Sequence, residues 1–374
     1  MVMKKVLFGS TALLAAAAFT GTAYADKIEL SVGGKQEFWF GVADVDGTGD
    51  DDDSWGGTGI NTDTELYFTG QTTLDNGLTV KAVVQLEADE STTNADETYM
   101  VLSGGFGALQ LGIRQGAHAN LANTGMEQGG QDWDEAYFSG NWSPTPDDFL
   151  MGDFNTSLTY YSSDDASIAY ISPEFFGFSV GATYTPDVDG TGLSDYDDAS
   201  TGIKDQFDAA IAFSNEFYGI GVDADFGYLY GFGSAGAESY EMFRVGGALS
   251  YAGFSISGAW ADHEYDGDTK SSGDGYAWQV GAGYENGPYG IDFNYARAEA
   301  EGDLITGTSR AAILRQTAAG VGEEETVDHF KATGRYDLGP GISLSAAVYH
   351  INYDNDTGED RKITGGIMGV ALSF

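Results

Sequence analysis

The sequence predicts an all-β chain folded as a transmembrane antiparallel β-barrel of sixteen strands. Three observations carry that prediction. Apolar and polar residues alternate with period two along nearly the whole chain, short and long turn segments follow one another in rhythm, and basic residues fall on the polar side of the alternation.

The alternation is clear from the first strand onward. Ile28, Leu30, Val32, Gln36, Phe38, Phe40 and Val42 share one face, which is apolar but for Gln36. Glu29, Ser31, Lys35 and Glu37 occupy the other. The pattern returns in Leu66, Phe68 and Leu74 against Glu65, Thr69 and Gln71, and again in Leu78, Val80, Ala82, Val84 and Leu86 against Thr79, Lys81, Gln85 and Glu87. Period two gives a strand one apolar and one polar face.

Turn chemistry punctuates these runs. Asp75-Asn76-Gly77, Gly104 to Gly107, Glu216 to Gly219, Tyr251 to Gly253, Asn286-Gly287-Pro288 and Leu338 to Gly341 are tight-hairpin segments. Long acidic links lie between them, among them Asp44 to Asn61, Asp187 to Gln206, Asp266 to Asp274 and Glu301 to Glu325. Short turns at one end and long loops at the other mark an outer-membrane barrel. The strands are expected to start at about residues 27, 62, 78, 97, 108, 166, 177, 207, 219, 240, 254, 275, 289, 326, 341 and 362. For the sixth, Ser157 to Tyr161 also alternates and could extend it or fold back within the loop.

The basic residues separate a barrel from a water-soluble sandwich. Lys35, Lys81, Arg114, Arg244, Lys331 and Arg335 land on the polar face, and only Arg297, near a strand end, lands on the apolar one. A lysine or arginine facing lipid at the bilayer midplane costs about 2–4 kcal/mol, so a barrel places them inward.

The first residues read as an export signal. Lys4 and Lys5 precede an apolar stretch from Val6 to Phe19, and Ala23-Tyr24-Ala25 supplies small residues for cleavage. That stretch is shorter than the ~20 residues a membrane-spanning helix needs. Residues 1–25 are therefore expected to be a signal peptide, and residues 26–374 (374 − 25 = 349) a single β-barrel domain. No later segment is long and apolar enough for a transmembrane helix. The chain has no cysteine, so no disulfide holds it. Its formal net charge of −42, or −44 once Lys4 and Lys5 are removed, repels nucleic acid and attracts cations.

The longest strand-poor stretch follows Arg114, from Gln115 to about residue 155. It carries Glu127, Asp132, Asp134, Glu135, Asp147, Asp148 and Asp153, no lysine or arginine, and the aromatics Trp133, Tyr137, Phe138 and Trp142. The acids alone would suit a solvated external loop. The aromatics call for a surface to pack on, and the barrel interior offers one.

These segments resemble a known family. Tyr170-Ile-Ser-Pro-Glu-Phe-Phe-Gly-Phe-Ser-Val-Gly-Ala-Thr-Tyr-Thr-Pro186 is similar to the sixth-to-seventh hairpin of Gram-negative general porins. Gly104-Gly-Phe-Gly-Ala-Leu-Gln-Leu-Gly-Ile-Arg-Gln115 resembles their fourth-to-fifth hairpin, which leads into the third loop. The end at Phe374, with Leu372 and Val370 in phase, resembles their signal for the barrel-assembly machinery. The resemblance implies a homotrimer of sixteen-stranded barrels in outer-membrane lipid and lipopolysaccharide, each with its third loop folded inward. It implies loop acids, here Glu127, Asp132, Asp134 and Glu135, facing basic wall residues, here Lys35, Lys81 and Arg114. Glu97 departs from the pattern, standing where a basic residue is frequent.

Other patterns carry little chemistry. Gly177-Phe-Ser-Val-Gly181 fits a hydrolase elbow but lies in an alternating strand without a following helix. Gly231-Phe-Gly-Ser-Ala-Gly236 fits a dinucleotide fingerprint, yet strand alternation follows it. His118, His263, His329 and His350 lack metal-ligand spacing. Asp50, Asp51, Asp52 and Asp53, with Asp44 and Asp46, could hold a structural calcium ion or could form a solvated charge run. Ser309 to Ala318 could be a short helix within a long loop.

The function expected is a general-diffusion channel for ions and small hydrophilic solutes, cation-preferring, with no catalysis and no required cofactor. A substrate-specific channel would need an aromatic ladder or a basic constriction. A secreted acidic β-sandwich adhesin would not need the terminal Phe374, and an outer-membrane enzyme would need a catalytic constellation.

Overall fold

The computed structural model describes residues 27–47, 57–88, 95–122, 165–188, 202–234, 239–265, 274–301, 324–355 and 360–374. Nearly all of them are strand. The first five strands are β1 (Glu29–Gly47), β2 (Gly57–Thr73), β3 (Thr79–Glu87), β4 (Thr98–Gly104) and β5 (Gly107–Ile113). One helical turn, α1 (Ala117–Asn120), follows them. Then come β6 (Ala166–Ile171), β7 (Phe178–Val188), β8 (Gly202–Phe217), β9 (Ile220–Ser234), β10 (Tyr240–Tyr251) and β11 (Phe254–Tyr265). The last five are β12 (Asp274–Asn286), β13 (Tyr289–Glu301), β14 (Glu324–Gly339), β15 (Ile342–Asn355) and β16 (Arg361–Ser373).

Each strand pairs antiparallel with its neighbours in sequence, and β16 returns to β1, so the sheet is a closed barrel. Closure removes the unpaired edge that an open sheet would present to lipid. The seam is held to the last residue. Gly34 N donates to Phe374 O at 3.0 Å, and Phe374 N donates to Gly34 O at 3.0 Å.

The apolar face of the alternation points outward. Leu30, Val32, Phe38, Phe40, Val42, Phe68, Val84, Ile211, Val280, Phe293 and Val348 are all exposed. Soluble proteins rarely expose contiguous apolar patches above a few hundred Å². Here the exposed band follows every turn of the barrel, as a lipid-facing surface does. Outward aromatics meet in pairs near both strand ends: Phe178 with Phe213 and Phe254 with Tyr284 by the short turns, Tyr184 with Phe207 and Trp278 with Tyr295 by the long loops. Such girdles sit at membrane–water interfaces. Val370, Leu372 and Phe374 share the outward side.

The short turns have the chemistry the sequence predicts. Tyr218–Gly219 (φ 53° and 84°) and Ala252–Gly253 (φ 51° and 87°) have both central residues left-handed. That is the hairpin turn whose twist matches its flanking strands, and glycine takes the second position without steric cost.

Strand starts agree with expectation to within two residues except at β2 and β8, which begin at Gly57 and Gly202, each five residues early (62 − 57 and 207 − 202). Each extension holds a single apolar residue, Ile60 or Ile203, so apolar alternation does not reveal them. In β8 the register also shifts between Lys204 and Phe207, where Asp205 has φ 49°. A bulge of this kind breaks the period that sequence reading relies on. β6 is the shortest strand at six residues. Ser157 to Tyr161, Ser309 to Ala318 and the expected signal peptide lie outside the described residues.

The inner wall is not uniformly polar. Trp39, Tyr349, Ile351, Tyr353, Ile363 and Ile367 form a buried cluster across β1, β15 and β16. A second cluster joins Leu229, Tyr240, Met242 and Ala261 with Val188 and Ile203.

Candidate channel lumen

The polar face of the alternation lines the barrel interior. On β1 to β5 it brings together residues far apart in sequence. Lys35 on β1 is the register partner of Glu65 on β2, and Glu65 is the partner of Glu87 on β3. Lys35 Nζ lies 2.7 Å from Glu65 Oε1 and 2.9 Å from Asp63 Oδ2. Tyr67 donates its hydroxyl to Glu65 Oε2, and Gln85 Nε2 donates to the same oxygen at 3.0 Å. Gln85 Nε2 also lies 3.0 Å from Asp96 Oδ2. Wall and acid are thus interleaved on one surface.

Arg114, just past the end of β5, is held from three sides. Its Nη1 donates to Gln110 Oε1 at 3.0 Å, its guanidinium carbon stands 4.5 Å from the centre of the Tyr99 ring, and its Nε is 3.9 Å from Glu97 Oε2. Glu97 therefore balances the charge of Arg114 within the wall itself. Lys81, on the inward side of β3, is partly exposed.

Beyond Arg114 the chain turns into the barrel. Ala117 N donates to Thr183 Oγ1 at 2.7 Å, and His118 N donates to Asp208 Oδ1 at 2.9 Å. Thr183 and Asp208 face inward from β7 and β8, so α1 lies against the inner wall. Asn120 Nδ2 caps the segment from within, donating to the carbonyls of Gln115 and Gly116 at 2.7 Å each. Small residues make the seat. A Cβ at Gly181 would come 2.7 Å from the Cβ of Ala117, and one at Gly116 would come 2.5 Å from Asp208 Oδ2. Behind Asp208 the wall carries the buried pair Arg244–Asp225, with 2.6 Å between Nη1 and Oδ1.

The fold has solved counterparts. The anion-selective porin from Comamonas acidovorans matches with TM-score 0.60 at 16% identity, over 92% of this chain and 100% of that one. A loop-deletion mutant of OmpT, an outer membrane protein of Vibrio cholerae, matches with TM-score 0.58 at 14% identity, over 92% and 99%. At these identities the likeness concerns the fold. In sequence, the Gram-negative porin family model matches residues 11–356. The chain belongs to the Gram-negative porin family. The porin is also 32% identical over 128 residues to the major outer membrane protein P.IB of Neisseria gonorrhoeae. That match spans about a third of each protein, 33% of this chain and 32% of the relative. The porin resides in the outer membrane, which its strands cross; among the described residues no helix is long and apolar enough to do so.

Of the site residues expected in this porin, Lys35, Lys81 and Arg114 stand on the inner wall as described. Glu127, Asp132, Asp134 and Glu135 lie outside the described residues, as do Asp50 to Asp53. Asp44 and Asp46 are exposed on the outward side of β1. Arg297 does face outward, as the alternation implied, and is paired there: Nη1 lies 3.0 Å from Asp328 Oδ2 and Nη2 lies 3.7 Å from Glu299 Oε2. Gly177 to Gly181 leads into β7 from a turn, with no helix behind it. Sequence reading missed the convergence of Asp63, Glu65 and Glu87, whose carboxylate oxygens lie within 4.8 Å of one another. The signal was there in outline, since all three fall on polar faces, but their adjacency depends on strand register.

Proposed function

We propose that this porin forms a general-diffusion channel for ions and small hydrophilic solutes, prefers cations, performs no catalysis and assembles as a homotrimer. The observation that carries the cation preference is the engagement of wall cations by wall carboxylates. Lys35 sits between Asp63 and Glu65, and Arg114 beside Glu97. A wall so balanced offers an anion little attraction, while the net charge of −42 favours cations throughout. The inward turn at α1 supports a path that carries Glu127, Asp132, Asp134 and Glu135 toward the lumen. Carboxylates at a narrow place in a water-filled pore act on permeating ions at close quarters.

Residues 1–25 would direct export, Phe374, Leu372 and Val370 would be read by the barrel-assembly machinery, and the outward band would meet lipid and lipopolysaccharide. Asp50 to Asp53, with Asp44 and Asp46 at the end of β1, would take calcium as a structural ion at most.

Purified protein in planar bilayers under a potassium chloride gradient tests the reading. The expected reversal potential is that of a cation-preferring pore, with three equal closing steps per channel. An anion-preferring or unselective potential would overturn the selectivity, and single-step closure by a monomer would overturn the trimer.

A further inference from the structure

The apolar cluster on the inner wall of β1, β15 and β16 is out of place beside a water-filled lumen. It runs from Trp39, near the middle of β1, to Tyr353, two residues from the long-loop end of β15. Val327 on β14 and Val45 on β1 pack against the same patch. Ile351 and Ile363, register partners at its centre, are only 2% and 0% exposed. Neighbouring strands cover the flanks of an inward side chain, whereas its tip is covered only by a layer on the lumen side. Among the described residues the element that stands off the wall is α1, which lies against β6 to β9. β8 is eight places from β16 around the ring of strands, so α1 occupies the opposite wall and cannot be that layer.

We propose that this patch is the seat of residues 302–323, the link from β13 to β14. The link leaves the wall after Glu301 and re-enters it at Glu324, three residues before Val327 of the patch (327 − 324), so its ends stand one and two strands from β15. Fully extended, its 22 residues reach roughly 70 Å. Neighbouring strands are ~5 Å apart, so the link can cross the four strands of the patch and return. Its composition fits the surface. It carries two aliphatic pairs, Leu304-Ile305 and Ile313-Leu314, and the links 48–56, 189–201, 235–238, 266–273 and 356–359 carry none. The link 123–164 is rich in aromatics, but it departs after α1 and returns at Asp165 before β6, on the opposite wall. Seating 302–323 on the patch removes both apolar surfaces from water at once. The link then takes up lumen across from α1, and solutes pass between the two. The seat needs only the barrel as described, while its effect on passage rests on the channel reading.

The chain has no cysteine, so single introduced thiols report on the full-length protein in proteoliposomes. Ile313→Cys is expected to react with a bulky water-soluble maleimide roughly tenfold or more slowly than Ser271→Cys, because a seated thiol reacts only through local opening. Ser271 is the reference because its link, 266–273, has no apolar residue to seat. Ile351→Asn, which makes the patch polar, is expected to speed the reaction of Ile313→Cys and leave that of Ser271→Cys unchanged. A benzophenone carried on Val45→Cys, at the far edge of the patch, is expected to cross-link to a peptide from 302–323. Capture of 123–164, of 48–56 or of a second chain instead, or equal reactivity of the two thiols, would overturn the seat. The thiol comparison leaves the wall untouched, so it decides the matter where the wall variants fail to assemble. Ile313→Asn/Leu314→Asn is expected to raise single-channel conductance in planar bilayers. Unchanged conductance in a protein that cross-links as expected would overturn the effect on passage and leave the channel reading intact. A wild type that conducts nothing would overturn that reading, and the effect on passage with it.

Discussion

The indole of Trp39 on β1 lies flat against Gly369 on β16, its register partner across the seam where the barrel closes. A Cβ at position 369 would penetrate the indole ring, so the aromatic occupies the space that a side chain would otherwise fill. The same arrangement recurs on β16, where a Cβ at Gly365 would meet the phenol of Tyr349. Glycine weakens a strand by itself, and a ring packed over it restores buried contact.

Replacing Gly369 by Val should therefore destabilise the seam. Overpacking of this type costs about 1–3 kcal/mol. The variant should lose its folded electrophoretic mobility at a lower temperature than wild type, while Gly339→Ala, where a Cβ meets nothing, should leave the transition near its original place. Equal transitions for the two variants would mean that the Trp39 contact is not needed for closure.

The root of the third loop offers a second prediction. Asp208 accepts the backbone N–H of His118, and Gly181 admits Ala117. A net hydrogen bond is worth about 0.5–1.5 kcal/mol. Asp208→Ala and Gly181→Val should each loosen the segment from the wall, giving noisier open-channel current and faster entry of larger sugars into proteoliposomes. Unchanged noise and unchanged sugar exclusion in both variants would show that this contact does not control the passage.

The acids beyond that root should govern selectivity alongside the wall. Glu127→Gln/Asp134→Asn/Glu135→Gln should lower the cation-over-anion permeability ratio, and Arg114→Gln should raise it. Since Glu97 balances Arg114 in the wall, the second change should be the smaller. Both should shrink as salt approaches ~1 M, where the Debye length is about 3 Å. Neutralising Asp50 to Asp53 should matter much less. Retention of wild-type selectivity by the triple variant at low salt would remove these acids from the ion path.

Deleting Phe374 should slow assembly, because both hydrogen bonds between it and Gly34 disappear along with its ring. Pulse-chase conversion from the unfolded to the folded electrophoretic form would measure this. Phe374→Tyr should assemble at nearly the wild-type rate, and a deletion that folds just as fast would assign the signal elsewhere.

The barrel was legible in the sequence because one physical rule, lipid outside and water inside, applies to every strand. Leu30 and Lys35 could be sorted to opposite faces without knowing any neighbour. The rule fails where lipid ends. The starts of β2 and β8, with one apolar residue each, gave too little contrast between faces, and the bulge at Asp205 shifted the phase. The lumen was legible only in part. Lys35, Lys81 and Arg114 followed from alternation, but their partners did not. Glu65 and Glu87 meet through strand register, and Glu97 and Arg114 meet one residue beyond the Thr98–Ile113 pair of β4 and β5. Such pairings arise between strands, where period along one strand carries no information.

The length of β1 has a further consequence. At ~3.3 Å per residue, its nineteen residues extend roughly 60 Å, and a tilt of about 40° still leaves a height well beyond the ~25 Å apolar band of an outer-membrane barrel. β2, β8 and β14 are of similar build. The barrel thus rises past the lipid as a rigid hydrogen-bonded turret, and solutes begin their passage at a raised rim rather than at the membrane plane. A surface-bound macromolecule approaching the cell meets sheet as well as loop there. Variation in the loops can then alter what is displayed outside without disturbing the backbone that surrounds the pore.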